Sequence, residues 1–392
     1  MNGLDLAGLT TGPDQTWGSV RLVPLVREQP IEDLRLNAQL YGEELSIVSV
    51  EPRVSYISYV PHAFVATWTG DGTPAAAYGT QLGSEGLSEK DTVVRGVPLR
   101  LRRGMARRVA RKEGNDRLRF LPLHLALEGY LALHFGGPEL AWDEWSQRAL
   151  RHGLSPRCEE SYDGYQVRGL DDALRIFEIH PGQCGVLVYV SDALASAFVV
   201  PHPEDYRALH ATLVQDLYGE LIYQYGALMP ARDFATARIA DAEVRSLADL
   251  RAQVARRMDE WAEFHDIVMA GGLLGADDYT FDEVYRLGRF RLRRFLPSFR
   301  LHDESHLGEA IVDEAGRLAY LKTFRLSQGQ VRRGHLLTRL AASGWNLEHA
   351  AKVLSTDAEG LALRLERSGF GYLLRQDVLD HYRAQARRRE LT

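Results

Sequence analysis

Cysteine and lysine are scarce in this chain of 392 residues, and their scarcity excludes several protein classes. Only Cys158 and Cys184 are present, so the chain has neither a disulfide framework nor a Cys-x-x-Cys pair for zinc or redox chemistry. Lysine occurs only at positions 90, 112, 322 and 352, and arginine supplies nearly all the positive charge. None of these lysines follows a glycine, which excludes a Gly-Lys-Ser/Thr phosphate loop.

Other catalytic signatures are missing as well. The chain contains no Gly-x-Ser-x-Gly nucleophile elbow and no His-Glu-x-x-His zinc helix. His302 and His306 have the spacing of two metal ligands on one helical face, but no third ligand follows nearby, and a surface capping segment is the better interpretation. We therefore predict no catalytic residue, no metal and no cofactor, and the interpretation leans against an enzyme.

Targeting segments and membrane spans are also absent from the sequence. The first 15 residues, MNGLDLAGLTTGPDQ, lack the positive leader and apolar core of a secretory signal. No apolar run approaches the roughly 20 residues that a membrane helix needs. The sequence therefore predicts a cytoplasmic protein without a membrane partner.

The length and the apolar content of 45% predict two or three domains with substantial cores. The formal charge of −6 argues against nucleic-acid binding over the whole surface, although local basic patches remain compatible with it. We predict an α+β protein whose β-rich N-terminal domain is followed by a helical connection and a C-terminal helix-turn-helix. The predicted boundaries are a leader over residues 1–18, a mixed domain over 19–230, helices over 231–310, and a hairpin with the helix-turn-helix over 311–392.

Strand patterns dominate the first domain. Val20–Val26 is a short apolar run, and Val54–Trp68 is rich in β-branched and aromatic residues. Cys184–Val190 and Ala197–Val200 predict two further strands, and Pro203 with two acidic residues opens a helix.

This first region, residues 15–230, resembles the ARPP domain family (ARG- and rhodanese-phosphatase-associated protein domains). The resemblance depends on Leu22-Val23-Pro24-Leu25, on Gly182-Gln183-Cys184-Gly185 and the strand that follows, and on the helix near Tyr206. It implies a context of ADP-ribose-processing or phosphatase domains, and it transfers no catalytic residue to this chain.

The strongest basic patch lies within Val93–Phe120. Its candidate anion-binding residues are Arg102, Arg103, Arg107 and Arg108. Such a patch suits a small anionic ligand or a nucleic-acid backbone. The alternative is a solvated face paired with acidic residues elsewhere, which the lack of interleaved aromatic residues favours.

Three patterns fill the middle of the chain. Asp241–Met269 predicts a long helix in which Leu247, Val254, Trp261 and Val268 repeat every seven residues, as in a core-facing helix or a homodimer seam. Asp282–Phe299 is interpreted as a basic helix, and Ile311–Leu321 as a hairpin.

The C-terminal segment Arg333–Phe370 has the spacing of a helix-turn-helix. Gly344 ends a first helix, Asn346 caps a second, and Thr356 with Glu359 forms the capping box of a third. Ala350 and Ala351 allow a close crossing of two helices. With Leu361 and Leu365 they resemble the Fis-type helix-turn-helix of bacterial regulators, which implies contact with DNA.

One feature of this segment opposes DNA binding. The start of the third helix reads Asp357-Ala358-Glu359, and these carboxylates would repel phosphate where the family offers basic or small polar residues. Arginines nearby could still reach DNA; the candidates are Arg364, Arg367, Arg375, Arg387 and Arg388. Without DNA contact, the helices would form a module for protein contacts.

Three functional hypotheses follow from these patterns. The first is a bacterial regulator whose first domain senses a partner or a small anionic ligand and whose last domain contacts DNA. The second is a non-catalytic interaction scaffold of a defence or ADP-ribose-linked system. The third is a hydrolase of ADP-ribose or phosphorylated nucleotides, in which Glu159, Glu160 or Asp163 would act as acid or base.

Overall fold

The computed structural model describes most of the chain outside one large central segment. The described ranges are residues 6–36, 176–214, 221–227, 239–265 and 279–390, with residues 218, 270 and 273 and short strand segments between 47 and 98.

A large antiparallel sheet organises the described residues, and nine of the strands described belong to it. Its strands run in the spatial order β1-β3-β12-β13-β17-β16-β15-β14, with β2 also pairing with β3. Their bounds are β1 Leu9–Thr11, β2 Gln15–Trp17, β3 Val20–Arg27, β12 Gln183–Val190, β13 Ala193–Val199, β14 Thr280–Leu287, β15 Phe290–Leu296, β16 His306–Val312 and β17 Leu318–Arg325.

The remaining described strands form small antiparallel sheets. Strands β4, β7 and β8 form one, β5, β6 and β9 form another, and β10 pairs with β11. Their bounds are β4 Arg35–Leu36, β5 Ile47–Glu51, β6 Val54–Ser58, β7 Phe64–Thr67, β8 Ala76–Tyr78, β9 Gln81–Gly83, β10 Val93–Val94 and β11 Val97–Pro98.

Helices follow the strands in the second half of the chain. The α-helices are α1 Pro203–Thr212, α2 Leu247–Phe264, α3 Gln328–Ala342, α4 Leu347–Val353, α5 Ala358–Arg367 and α6 Gln376–Glu390. Shorter turns are a π-helical segment at Ile222–Ala227 and 3₁₀ segments at Asp241–Glu243 and Gly371–Leu373. None of the helices among the described residues is long and apolar enough to cross a bilayer.

Both faces of the large sheet are covered by apolar cores. Successive side chains on each strand point to opposite sides, so one strand contributes to both cores. On β12, Val186 and Val188 join a core shared with helices α1, α3, α4 and α5. Leu187 and Tyr189, on the other side, join a second core that includes Ala270. The described part of the chain is therefore mixed α and β, as predicted.

The sheet crosses the domain boundaries that the sequence suggested. Strand β13, from residues 19–230, pairs with β17, from residues 311–392. The expected helical connection over 231–310 contains α2 but also β14, β15 and the start of β16. Residues 9–17, expected in a loose leader, instead provide β1 and β2, because their backbone groups pair with β3.

The prediction of a basic helix over Asp282–Phe299 is wrong. The segment forms the β14–β15 hairpin, in which Leu287 pairs with Phe290 around Gly288, whose φ is +61°. A positive φ at a two-residue turn suits glycine. Alternation then buries Phe290 and Leu292 on one face and Phe295 on the other, a period-2 pattern that the interspersed arginines concealed.

Two other predictions from the middle of the chain are confirmed in outline. The hairpin predicted at Ile311–Leu321 is the β16–β17 pair. The long helix is present, although it is shorter than expected and begins at Leu247. The Ser246 side chain fixes this start, because its Oγ accepts a hydrogen bond from the Asp249 backbone N–H at 3.1 Å.

A fully buried ion pair lies in the sheet beneath the helices. Glu309 on β16 and Lys322 on β17 are directly opposite each other, with Nζ 3.6 Å from Oε2 and exposures of 0% and 1%. Among the described residues no hydrogen-bond partner satisfies either group. Burial raises the pKa of Glu309 to about 7 and lowers the pKa of Lys322. Desolvation therefore outweighs the attraction between the two charges.

Helix α3 docks onto the sheet domain through a close contact with Phe299. A methyl group at Gly334 would lie 2.1 Å from Phe299 Cδ1. Phe299 is buried and has a φ of +50°, and its carbonyl oxygen lies 3.2 Å from His335 Nδ1. The ring is therefore confined, and Gly334 is needed for this close approach.

We expect Gly334→Ala to lower the free energy of unfolding by about 1–3 kcal/mol, because overpacking forces the confined ring to move. Urea denaturation measures this directly. Gly329→Ala in the same helix is the control, since its methyl group would lie 3.8 Å from the nearest atom, Ser327 Oγ. Equal stabilities of the two variants would contradict the close contact.

Candidate nucleic-acid interface

The C-terminal helices form where local signals in the sequence place them. Ser327 and Gln330 form a capping box that starts α3. Gly344, with a φ of +62°, ends it, as predicted. Asn346 caps α4 by accepting a hydrogen bond from the His349 backbone N–H at 2.9 Å, which confirms its predicted role.

The capping box predicted for the third helix is wrong in its residues. Asp357, not Thr356, caps α5, and its Oδ1 accepts from the Gly360 backbone N–H at 2.7 Å. Thr356 N–H instead donates to the Ala351 carbonyl oxygen. The helix therefore begins one residue later than the sequence suggested, and Glu359 occupies its second position.

Small and aliphatic residues join α4 and α5 as expected. Ala350, Ala351, Leu361 and Leu365 are all buried in the core shared with the sheet. Small residues at such a crossing let two helix backbones approach closely. The opposite side of α5 is open, and Arg364 and Arg367 are exposed there.

The two carboxylates at the start of α5 are offset by an arginine from the end of the chain. Arg389 Nη1 lies 3.5 Å from Asp357 Oδ2 and 3.4 Å from Glu359 Oε2. Glu359 is moreover only 8% exposed. The Gly360 backbone N–H and then Arg389 lower the pKa of Asp357. The repulsion of phosphate that the sequence suggested is therefore reduced.

Helix α6 packs antiparallel to α5 and neutralises further acids. Arg383 Nε donates to Glu366 Oε1 at 3.0 Å, and Arg383 Nη1 donates to Asp380 at 2.9 Å. The Arg383 contact lowers the pKa of Glu366. Since Glu366 is near the end of α5 and Asp357 is at its start, the two arginines of α6 hold both ends of α5. Arg383 and Arg389 are thus used internally.

Three other arginines of this pair of helices are available at the surface. Arg364, Arg367 and Arg387 are exposed, and within the described residues the structure pairs none of them with an acid. Arg388 is exposed beside Arg387. Residues 328–392 contain 11 Lys and Arg against 7 Asp and Glu, a net charge of +4 in a chain of −6. Basic charge is thus concentrated in the C-terminal helices.

Arg375 is separated from these arginines. It forms a two-point ion pair with Asp377, with Nη2–Oδ2 and Nε–Oδ1 distances of 2.6 and 3.0 Å. It also precedes α6 at the end near Phe370, whereas Arg387 and Arg388 lie at the other end. The structure therefore does not bring all five predicted DNA-binding arginines together.

Several other candidate residues lie elsewhere. The anion-binding candidates Arg102, Arg103, Arg107 and Arg108 lie outside the described residues, as do Glu159, Glu160 and Asp163. His302 and His306 are not on a helix, since His302 lies in an exposed turn and His306 begins β16. His306 Nε2 lies 3.1 Å from the Leu194 carbonyl oxygen. Among the described residues, no group of three or more metal-ligating side chains occurs.

Reasoning from the sequence missed the role of Arg389 in this interface. Arg389 and Asp357 are 32 positions apart, and only the antiparallel packing of α6 on α5 brings them together. The run Arg387–Arg389 is visible in the sequence. Nothing in the neighbouring residues shows that Arg389, rather than Arg387, pairs with the acids of α5.

Comparison with known proteins gives one family for most of the chain. No curated protein and no solved structure matched it. The profile of the ARPP-2 family matches residues 4–288, which include β1–β14 and helices α1 and α2. The C-terminal helices α3–α6 lie beyond this match. Because the match extends over well over half of its residues, the chain belongs to the ARPP-2 family.

Proposed function

We propose that this ARPP-2 protein is a DNA-binding regulator that acts in the cytoplasm through its C-terminal helices. The observation that carries the proposal is the partial neutralisation of the acids at the start of α5. Asp357 and Glu359 are paired with Arg389, while Arg364 and Arg367 remain exposed on the same helix. A surface of this kind repels a polyanion less than two unpaired carboxylates would, because Arg389 offsets part of their charge.

The helix order supports the same proposal. Helices α4 and α5 are joined by a short turn and cross at Ala350 and Ala351, as in a helix-turn-helix. In that motif the second helix enters the major groove, and α5 corresponds to it. Arg364 and Arg367 would contact phosphates or base edges, and Arg387 and Arg388 would contact the backbone beside them. The ion pair of Arg375 excludes it from the proposed contact.

The ARPP-2 part would supply the signal. Its role in this proposal is to bind a partner protein or a small anionic ligand, for which Arg102, Arg103, Arg107 and Arg108 remain the candidates. A shared core between the sheet and α3–α5 gives such a signal a physical route to the DNA-binding surface. If the ARPP-2 part senses a ligand, adding that ligand should change the affinity of the protein for DNA.

The test is fluorescence anisotropy of a labelled random-sequence duplex titrated with the full-length protein at fixed salt. We expect Arg364→Ala/Arg367→Ala to raise Kd by about tenfold, because two phosphate contacts are lost. Arg375→Ala removes an exposed arginine of the same module and should leave Kd within about twofold of the wild-type value. Equal affinities of the wild type and the double variant would contradict the assigned face.

A further inference from the structure

Arg27, the last residue of β3, is a buried arginine without an acidic partner. Only 4% of the residue is exposed. Among the described residues no carboxylate forms an ion pair with it, and its Nε is inaccessible to solvent and has no hydrogen-bond partner. Arginine is almost never fully buried unless it is paired, because removing its charge from water is costly. The position of Arg27 therefore calls for a negative charge from another source.

The other groups around Arg27 do not supply that charge. Arg27 Nη2 donates to the Ala319 carbonyl oxygen, at a long 3.4 Å. Burial raises the pKa of the neighbouring Cys184 thiol, which therefore stays protonated and neutral. Burial is also the largest cause that lowers the pKa of Arg27, and the positive charge of Arg317 lowers it further. A guanidinium group remains protonated even so, and its charge is left unbalanced.

The acid in this region, Asp313, is already used by Arg317. Asp313 Oδ2 accepts from Arg317 Nε at 3.1 Å, and Asp313 Oδ1 accepts from the Arg317 backbone N–H at 2.8 Å. Its charge raises the pKa of Arg27 less than any other cause changes it. Glu314, the next residue, is exposed to solvent. Two guanidinium groups thus share the one buried carboxylate of this turn, and the three groups carry a net charge of +1.

Arg317 provides the side of this cluster that is open to solvent. It lies in the turn between β16 and β17, after Gly316, and its side chain is 36% exposed. Asp313 occupies its Nε, and within the described part of the chain no acceptor occupies its two Nη atoms. The fork of an arginine suits the oxygens of a phosphate or carboxylate group. An oxyanion can therefore approach Arg317 from solvent, on the cluster that includes Arg27.

We infer that Arg27 and Arg317 form a binding site for a small oxyanion, a phosphate or carboxylate group, at the turn between β16 and β17. The oxyanion accepts hydrogen bonds from the free Nη atoms of Arg317 and balances the buried charge of Arg27. Arg27 lies within the ARPP-2 match. The site gives the small anionic ligand of the proposed function a place among the described residues, and to that extent the inference rests on the proposed function.

Isothermal titration calorimetry of the full-length protein with sodium phosphate, and separately with sodium acetate, tests the inference at an ionic strength held constant with NaCl. We expect saturable binding of one anion per chain. Arg27→Met and Arg317→Met should each raise Kd by at least about tenfold, because each removes a charge that attracts the anion. Arg325→Met is the matched control, since it removes an arginine that is paired with Glu304 near the other end of β17. It should change Kd by less than about twofold.

Urea denaturation separates loss of the site from loss of the fold. Arg27→Met without phosphate should be at least as stable as the wild type, because it removes an unbalanced buried charge. Adding phosphate should stabilise the wild type more than Arg27→Met, since an anion that binds only the folded site favours folding. Saturation by phosphate but not acetate would assign a phosphate ligand, and the reverse a carboxylate.

The DNA-binding surface can be tested independently of this site. Arg364→Ala/Arg367→Ala should bind the anion with the wild-type Kd, so a failure of DNA binding leaves this result unchanged. Three results would overturn the inference: no saturable binding of either anion, a Kd that Arg27→Met and Arg317→Met leave unchanged, or loss of anion binding in Arg364→Ala/Arg367→Ala, which would place the anion on α5.

Discussion

Lys322→Met alone is expected to lower the free energy of unfolding by about 3–5 kcal/mol, because it leaves the Glu309 carboxyl group buried without its partner. Both side chains are inaccessible to solvent, and neither has a hydrogen-bond partner among the described residues. Water therefore cannot compensate for the missing charge without opening the sheet. Urea denaturation at neutral pH measures the loss.

The double variant Glu309→Leu/Lys322→Met should recover this stability. Replacing a buried ion pair by apolar residues of similar volume is commonly neutral, or stabilising by about 1–4 kcal/mol. The raised pKa of Glu309 indicates that here the desolvation of the pair already costs more than its attraction returns. A double variant as unstable as Lys322→Met alone would show that the pair is a net stabiliser, contrary to this account.

Stability should also depend on pH through Glu309. Burial raises its pKa from 4.5 to about 7 in the folded protein. A raised folded-state pKa gives stability that is fully present below the unfolded value and is lost as the pH rises through the folded value. Between pH 4.5 and 7 the wild type should therefore lose about 3 kcal/mol relative to a variant without this carboxyl group.

Glu309→Gln is the matched variant, because it keeps the side-chain size and removes the titration. Subtracting the unfolding free energy of one protein from that of the other removes the contributions of groups that both contain and that change charge in this range, such as the buried His210. Lys322 contributes with the opposite sign: burial lowers its pKa, so its contribution is present above its ordinary pKa of 10.5 and is lost as the pH falls through the lowered value. A difference that stays flat from pH 4.5 to 7 would be inconsistent with a buried, proton-binding Glu309.

Local signals explain which elements could be predicted from the sequence. Asn346 and Gly344 act on their own helix ends, so their roles could be predicted without tertiary information. The inward set of Ala350, Ala351 and Leu361 follows from helical periodicity alone. The same holds for the strand Cys184–Val190, which the structure extends by one residue.

Long-range pairing explains most of what was not predicted. Glu309 and Lys322 are each a charged residue within an apolar strand, which the sequence shows. That they pair with each other depends on the register of β16 and β17, which the sequence does not show. The hairpin at Gly288 was mistaken for a helix because its alternation is broken by charged residues. The exposure of Leu247 and Val254 on α2 could not be inferred either, since the same spacing suits a core helix equally well.

The central claim is that the C-terminal helices bind DNA through arginines that their own acids do not neutralise. The most direct test is the salt dependence of DNA binding by the full-length wild-type protein. Contacts from Arg364, Arg367 and Arg387 to phosphates predict that log K falls linearly with log[NaCl] with a slope of about −2 to −3. Failure to bind any duplex at low salt, or a slope near zero, would contradict the claim.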